Sequence, residues 1–423
     1  MSLFEKDKKY VWHPFTQAKT SLPPIPIVKG EGIWLIAEDG KKYMDVNSSW
    51  WTNIHGHSNA YIAEKVYQQF LQLEHVIFAG VTHPKAVEVA ERIISFLPSH
   101  FQKVFFSDNG STSVEVALKM VYQFWYNSGK TKKRFLALEG AYHGDTFGAM
   151  SVGQRGYFNK PFEHLFFKVD FLPFPTSQNE DEILRKAEEF FSTGEFAGFI
   201  FEPLVQGAAG MRIYSPKILD QLLALSKKYE VLTIADEVMT GFYRTGSRFA
   251  IDQLKEKTDI ICLSKGLTGG ALPLGLTVAT QKIYDAFLSE ETTKALLHGH
   301  SFTGNPLACA AACASLDLLE KVETINNIRM ISESHKTFIF QHGSNVHFTS
   351  VKSIGTILSI TLNVADENYF SAIRDKAYSY FLERGFLIRP LGNVIFVNPP
   401  YCIKQNELDE IYKVILEFSQ SKK

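Results

Sequence analysis

The sequence predicts an α/β protein with a large domain, built on a mostly parallel sheet wrapped by helices, and a smaller α+β domain drawn from both chain ends. Three observations predict it. From about Tyr61, strand-like apolar runs alternate with amphipathic helical patterns, the signature of a parallel sheet covered by helices. The first fifty residues hold short strand-like pieces punctuated by turn signals. After about Ile325 the regular alternation gives way to short mixed elements. The expected boundaries are 1–60 for the N-terminal part of the small domain, 61–324 for the large domain and 325–423 for the C-terminal part of the small one.

Taken in order, the chain opens with a Pro-rich crossing, Leu22-Pro23-Pro24-Ile25-Pro26. Gly32–Ile36 and Lys42–Val46 flank the turn signal Asp39-Gly40 and read as a small antiparallel sheet. Val104-Phe105-Phe106 precedes a helix over 111–125, and Arg134–Leu138 is the next strand. Gly198–Phe201 leads into Glu202-Pro203, Val231–Ala235 into Asp236-Glu237, and Asp259–Leu263 into Ser264-Lys265. A long apolar helix follows Asn305-Pro306.

Composition narrows the function. Lys and Arg number 44 against 45 Asp and Glu, so no excess positive charge is available to neutralise phosphates. This argues against a polybasic nucleic-acid or membrane-surface binder. A 45% hydrophobic fraction in 423 residues gives a core that needs no disulfide or metal staple. The cysteines, Cys262, Cys309, Cys313 and Cys402, form no C-x-x-C pair, so no metal site is expected. The charged segment Met1–Tyr10 has no apolar core of a signal peptide. No apolar run reaches the ~20 residues of a membrane span. A cytoplasmic protein is expected.

Open α/β sheets bind ligands at the carboxyl ends of their strands. The polar residues there carry the chemistry. Asp236 ends one run; it reads as a helix cap, a metal ligand or the counter-charge of a buried cationic atom. Lys265 ends another and precedes Gly266-Leu267-Thr268-Gly269-Gly270. A lysine so enclosed has its charge disfavoured and its amine made nucleophilic, whereas an open one reaches to solvent. Asn109-Gly110-Ser111 offers amides and a hydroxyl at a helix start, either for a phosphate or as a plain cap with Ser111 and Glu115. Tyr142-His143-Gly144-Asp145 brings rings that either stack on a planar ligand or pack in the core. No G-x-x-x-x-G-K-[ST] occurs, and no G-x-G-x-x-G follows the first strand. Together, an anion cradle, a ring, a carboxylate and a lysine suit a phosphorylated, cationic aromatic aldehyde. Pyridoxal 5'-phosphate has those features.

Several segments resemble the class III pyridoxal-phosphate aminotransferases. They are Glu202-Pro203, Ala235-Asp236-Glu237-Val238 with Gly241-Phe242-Tyr243-Arg244-Thr245-Gly246, and Ser264-Lys265-Gly266-Leu267. The likeness runs over nearly the whole chain. It implies the fold-type-I transferase fold and a homodimer with active sites at the subunit interface. Further segments are similar to the branch that aminates 8-amino-7-oxononanoate in biotin synthesis. These are Trp12–Thr16, Ser48-Ser49-Trp50-Trp51 with Ile54-His55-Gly56, Gly140–Met150, His298–Ala308 and Ile388-Arg389-Pro390.

The resemblance implies a role for each matching position. Lys265 carries the cofactor as a Schiff base and Asp236 pairs its ring nitrogen. Gly110 and Ser111 hold the phosphate, completed by His300 and Ser301 of the partner subunit. Tyr142 stacks near the ring and lines the substrate site. Phe15, Trp50, Gly299 and Arg389 contact substrate; a guanidinium binds carboxylates bidentately, which suits Arg389. The implied donor is S-adenosylmethionine, with lysine as the alternative. Read without the family, Trp50 and Trp51 also fit a pair of core aromatics, the lesser reading for Trp51. The family often has Tyr where this chain has Phe15, and frequently Pro where it has His300. Competing readings are a general ω-aminotransferase or aminomutase, a non-catalytic pyridoxal-phosphate binder, and a nicotinamide dehydrogenase, the last lacking its fingerprint.

Overall fold

A seven-stranded sheet organises the protein, with strand order Phe101–Ser107, Gly275–Thr280, Ile260–Leu263, Leu232–Asp236, Phe196–Phe201, Arg134–Leu138 and Val169–Leu172. The computed structural model describes residues 1–364 and 371–421; residues 365–370 and 422–423, which fall in the expected 325–423 segment, lie outside the description. The last five strands of that order pair in parallel, as the helix-linked apolar runs predict. Gly275–Thr280 runs antiparallel between Ile260–Leu263 and Phe101–Ser107. Ser107, Leu138, Phe201, Asp236 and Leu263 therefore end on one edge. Neither Gly275–Thr280 nor Val169–Leu172 was anticipated from the sequence.

Helices cover the sheet. Gly110–Asn127 starts at the N-cap Asn109, whose side chain accepts from the Thr112 amide, and buries Val114, Ala117, Val121 and Phe124. Pro306–Leu319 begins with Pro at its first position, where no backbone donor is lost. Its Ala- and Cys-rich sequence is buried almost all round, so small side chains let it pack deep between neighbours.

Two smaller sheets draw on both ends of the chain. Ile27–Glu31, Trp34–Ala37 and Lys42–Asp45 form the expected antiparallel ribbon, and Phe386–Leu387 joins it in parallel through Phe386↔Met44 and Leu387↔Asp45. Phe348–Ile354, Ile357–Leu362 and Val394–Val397 form a three-stranded antiparallel sheet. Against it, buried His335 bridges the Tyr412 hydroxyl (2.6 Å) and the Thr356 carbonyl (3.1 Å). No helix among the described residues is long and apolar enough to cross a membrane.

Candidate active site

At the carboxyl edge of the large sheet lies a cavity of ≈ 360 Å³. Its wall takes residues from five strand ends: Asp108–Ser111, Tyr142–Gly144, Glu202, Asp236 and Ser264-Lys265, with Trp51 closing one side. Such convergence is how an open sheet assembles a polar site from residues far apart in sequence.

The helix at Gly110 supplies an anion cradle. The first amides of a helix lack intrahelical acceptors, and Gly110 and Ser111, which line the cavity, carry two of them. The cap is Asn109, not Ser111, which corrects the simpler expectation from sequence: Asn109 accepts the Thr112 amide at 3.0 Å. Glu115 is also not a cap partner here; it accepts the Gly148 amide at 2.7 Å. Ser111 is thereby left with one contact, Oγ accepting the Asp145 amide at 3.2 Å, and its hydroxyl proton remains free to donate. Gly144 makes this fit possible. A Cβ there would lie 2.1 Å from Ser111 Oγ, and its φ of +126° suits only glycine.

Asp236 is the buried last residue of the Leu232–Asp236 strand. Its Oδ1 accepts the Val238 amide (3.1 Å), and its Oδ2 meets His143 Nδ1 at 2.6 Å. His143, expected as a ring beside Tyr142, is thus tied to the carboxylate, and its Nε2 has no partner among the described residues. The adjacent Glu237 points away: it accepts the Ile251 amide at 2.8 Å and the Thr240 hydroxyl at 2.5 Å. One carboxylate of the Asp-Glu pair faces the cavity and the other pins a loop.

Lys265 follows Ile260–Leu263 with φ +47°, a left-handed conformation costing about 1–2 kcal/mol for an L residue. Its Nζ sits 4.5 Å from the Trp51 ring centroid. Burial lowers its amine to about 8, although Asp236 and Glu202 pull the other way. A neutral, nucleophilic fraction is therefore present near neutral pH. Trp51, for which core packing was the lesser reading, is both buried and a wall of this cavity.

Tyr142 donates its hydroxyl to Asp145 Oδ2 (2.9 Å), and burial raises its phenol, so it stays protonated and offers its ring face. Beneath it is a residue that sequence reasoning quoted only as part of a motif. Glu202 is buried, accepting the Tyr142 amide (3.0 Å) and the Gly207 amide (2.9 Å). Burial pushes its carboxyl up to about 7. The signal available in the sequence was its position directly after Phe196–Phe201, equivalent to that of Asp236 at its own strand end.

The remaining expected residues fall into two groups outside this cavity. Phe15 stacks obliquely on Trp50 (5.4 Å between centroids) and edge-on to Phe158 (6.1 Å), and the Arg389 guanidinium lies 5.0 Å from the Trp50 centroid. Arg389 is exposed and has no carboxylate partner among the described residues. Gly299 and Ser301 are exposed, and His300 Nδ1 stands 3.4 Å from Asp108 Oδ2 at the rim.

The family model described as Aminotransferase class-III matches residues 15–418. The chain is a class III aminotransferase. It is 46% identical to an adenosylmethionine-8-amino-7-oxononanoate aminotransferase of Synechococcus elongatus, over 96% of this chain and 98% of that protein. The protein of the same name from Geobacter sulfurreducens is 41% identical, over 96% of this chain and 95% of its own. A crystal structure of such an enzyme from Methanocaldococcus jannaschii superposes with a TM-score of 0.93 at 36% identity, covering 99% of this chain and 98% of that one. The fold is accordingly that of the fold-type-I transferases. The cofactor of this class III aminotransferase is pyridoxal 5'-phosphate, and the donor set fits it: amides and a hydroxyl for an anion, a buried carboxylate for a cationic ring nitrogen, an amine for an aldehyde.

Two predictions follow from this geometry. Gly144→Ala should displace Ser111 and weaken pyridoxal phosphate binding by about tenfold or more, the worth of one charge-assisted hydrogen bond, in an equilibrium titration of cofactor-free enzyme. Unchanged affinity would remove Ser111 from the cradle. Glu202 holds its proton more tightly folded than unfolded, about 7 against 4.5. Its stabilising contribution is then full below 4.5 and lost as pH rises towards 7. In cofactor-free protein, the stability of wild type relative to Glu202→Gln should fall across that interval by on the order of 3 kcal/mol. Denaturant melts that keep a constant difference would show a carboxylate ionised throughout.

Proposed function

We propose that this aminotransferase aminates the 7-keto carbon of 8-amino-7-oxononanoate, giving the 7,8-diaminononanoate of biotin synthesis, with S-adenosylmethionine as donor. The observation that carries the reading is the pairing of Arg389 with Trp50 at the end of an aromatic wall. An apolar wall ending in a guanidinium with no carboxylate partner among the described residues matches an aliphatic chain ending in a carboxylate. The names borne by the relatives support the same substrate. Free thiols at all four cysteines fit a reducing, cytoplasmic compartment.

When bound, pyridoxal phosphate supplies the aldehyde that carries the amino group and a cationic ring that accepts electron density from the substrate carbon. The protein's residues divide the remaining work. Lys265 would hold the cofactor through its aldehyde; when not so held, its Nζ is the group placed to take the proton from the donor α-carbon and to give one to the 7-carbon of the acceptor. Its lowered amine titrates close to the working pH, where a base and acid are both available. Asp236 holds a proton on the ring nitrogen, and His143 fixes the carboxylate that does so. Gly110 and Ser111 bind the phosphate. Tyr142 stacks on the ring, its backbone held by Glu202. Phe15 brings no hydroxyl to the wall, so lysine stays the competing donor.

Class III enzymes are typically dimeric. We place Gly299, His300 and Ser301 at the active site of a second copy of the chain, because they lie outside the cavity of their own. Exposed Leu297 and Phe302, beside these residues in the chain, support an interface here; such large apolar groups are otherwise covered in a stable protein.

The pyridoxal form mixed with 7,8-diaminononanoate should convert to the pyridoxamine form, seen as loss of the visible absorbance band. Failure of that conversion alongside ready conversion by a simple ω-amine would overturn the substrate and leave a general ω-aminotransferase. Lys265→Ala should still bind cofactor, resist its fixation by borohydride, and lose ~10²–10⁴-fold or more in turnover. Normal transamination by that variant would sink the assignment of the lysine.

A further inference from the structure

Four successive non-glycine residues, Ser48, Ser49, Trp50 and Trp51, have φ values of 49°, 45°, 71° and 71°. L residues visit this region singly, and each costs about 1–2 kcal/mol. A full turn of them persists only where its surroundings over-determine it.

Those surroundings are a buried polar network centred on Asp45, which is 1% exposed. Asp45 Oδ1 accepts the Ser49 amide at 2.9 Å, and Oδ2 accepts the Ser49 hydroxyl at 2.7 Å. His57 Nε2 meets the same Oδ2 at 2.8 Å. Asn53 Nδ2 lies 3.1 Å from His57 Nδ1; with Nδ1 accepting, the ring proton sits on Nε2 and is donated to Asp45. Gly30 makes room for this ring, since a Cβ there would be 2.5 Å from His57 Cβ. On the opposite side, Ser48 Oγ donates to the Asn398 carbonyl (2.8 Å).

The turn has two outputs. Trp50 meets Phe15 and Arg389, and Trp51 lies against Lys265 Nζ. We propose that Asp45 and His57 are positioning residues for the reaction: they lock the left-handed turn that presents Trp50 to the substrate chain. The proposal rests on the reading of Trp50 as a substrate wall. Neither residue lines the cavity.

The test joins hydrogen exchange with kinetics on the cofactor-loaded enzyme. His57→Ala should speed amide exchange in the 48–53 segment by about tenfold or more, reporting local opening rather than global unfolding. KM for 8-amino-7-oxononanoate should rise about tenfold while kcat changes less than about threefold. His57→Gln keeps an N–H donor near the Nε2 position and should restore both. In a Trp50→Ala background the effect of His57→Ala on KM should vanish, because the two act through one contact. Asp45→Ala should repeat the exchange result; if it does not fold, the His57 pair decides. Unchanged exchange in His57→Ala overturns the lock. Faster exchange with unchanged KM, where Trp50→Ala does raise KM, overturns the positioning role. A Trp50→Ala enzyme with normal KM instead overturns the substrate reading, and exchange alone then judges whether Asp45 and His57 hold the turn.

Discussion

A carboxylate buried in the middle of the sheet sets the terms for everything around it. Asp236 ends the central strand, and an unpaired charge at that depth is prohibitively unfavourable. Two protein donors meet it, the Val238 amide and His143. A cationic ring nitrogen is the natural further partner on the cavity side. His143 reaches Asp236 only because Tyr142–Asp145 turns back over the strand ends, and that turn is held by Glu202 below and Ser111 alongside. The anion cradle, the stacking ring and the acid are thus parts of one hydrogen-bonded assembly.

Close approach is the second constraint. Gly144 lets the turn lie on Ser111, and Gly110 lets the helix start lie on Val238, whose Cγ1 would be 2.6 Å from a Cβ. Lys265 and the Ser48–Trp51 turn accept left-handed backbone without being glycine. In each place the strain buys the direction of a side chain: an amine into the cavity, one tryptophan beside it and another towards Arg389. Strained residues tend to gather where geometry matters more than stability.

Much of this was legible in the residues. Arg134–Leu138 matched its strand end to end, and Asp236 and Lys265 were found because carboxyl ends of parallel strands are where polar residues stand out after apolar runs. The gathering of Ser111, Tyr142, Asp236 and Lys265 around one cavity followed from that rule. What escaped has physical reasons. Gly275–Thr280 is short, opens with glycine and lies directly after a Gly-rich loop, so local pattern merged it with that loop. The role of Asn109 was hidden because Asn, Ser and Thr are near-equivalent caps, and only backbone geometry chooses among them. The left-handed turn at Ser48–Trp51 was invisible: nothing in Ser-Ser-Trp-Trp favours positive φ, and its cause lies in partners at Asp45, His57 and Asn398.

The cavity lining and the Trp50–Arg389 pair stand on different sheets. Lys265, Asp236 and the cradle belong to the seven-stranded sheet, where six parallel-facing ends fix them against one another. Trp50 and Arg389 hang from the four-stranded sheet, in which Lys42–Asp45 and Phe386–Leu387 pair directly. The Arg389 amide donates to Asn47 Oδ1 at 2.8 Å, so the segments that carry Trp50 and Arg389 are joined directly although those partners are 342 positions apart. A change of register or tilt in that small sheet would move Trp50 and Arg389 together, leaving the amine and its acid in place. Trp51 is the exception, because it belongs to the recognition turn yet touches Lys265.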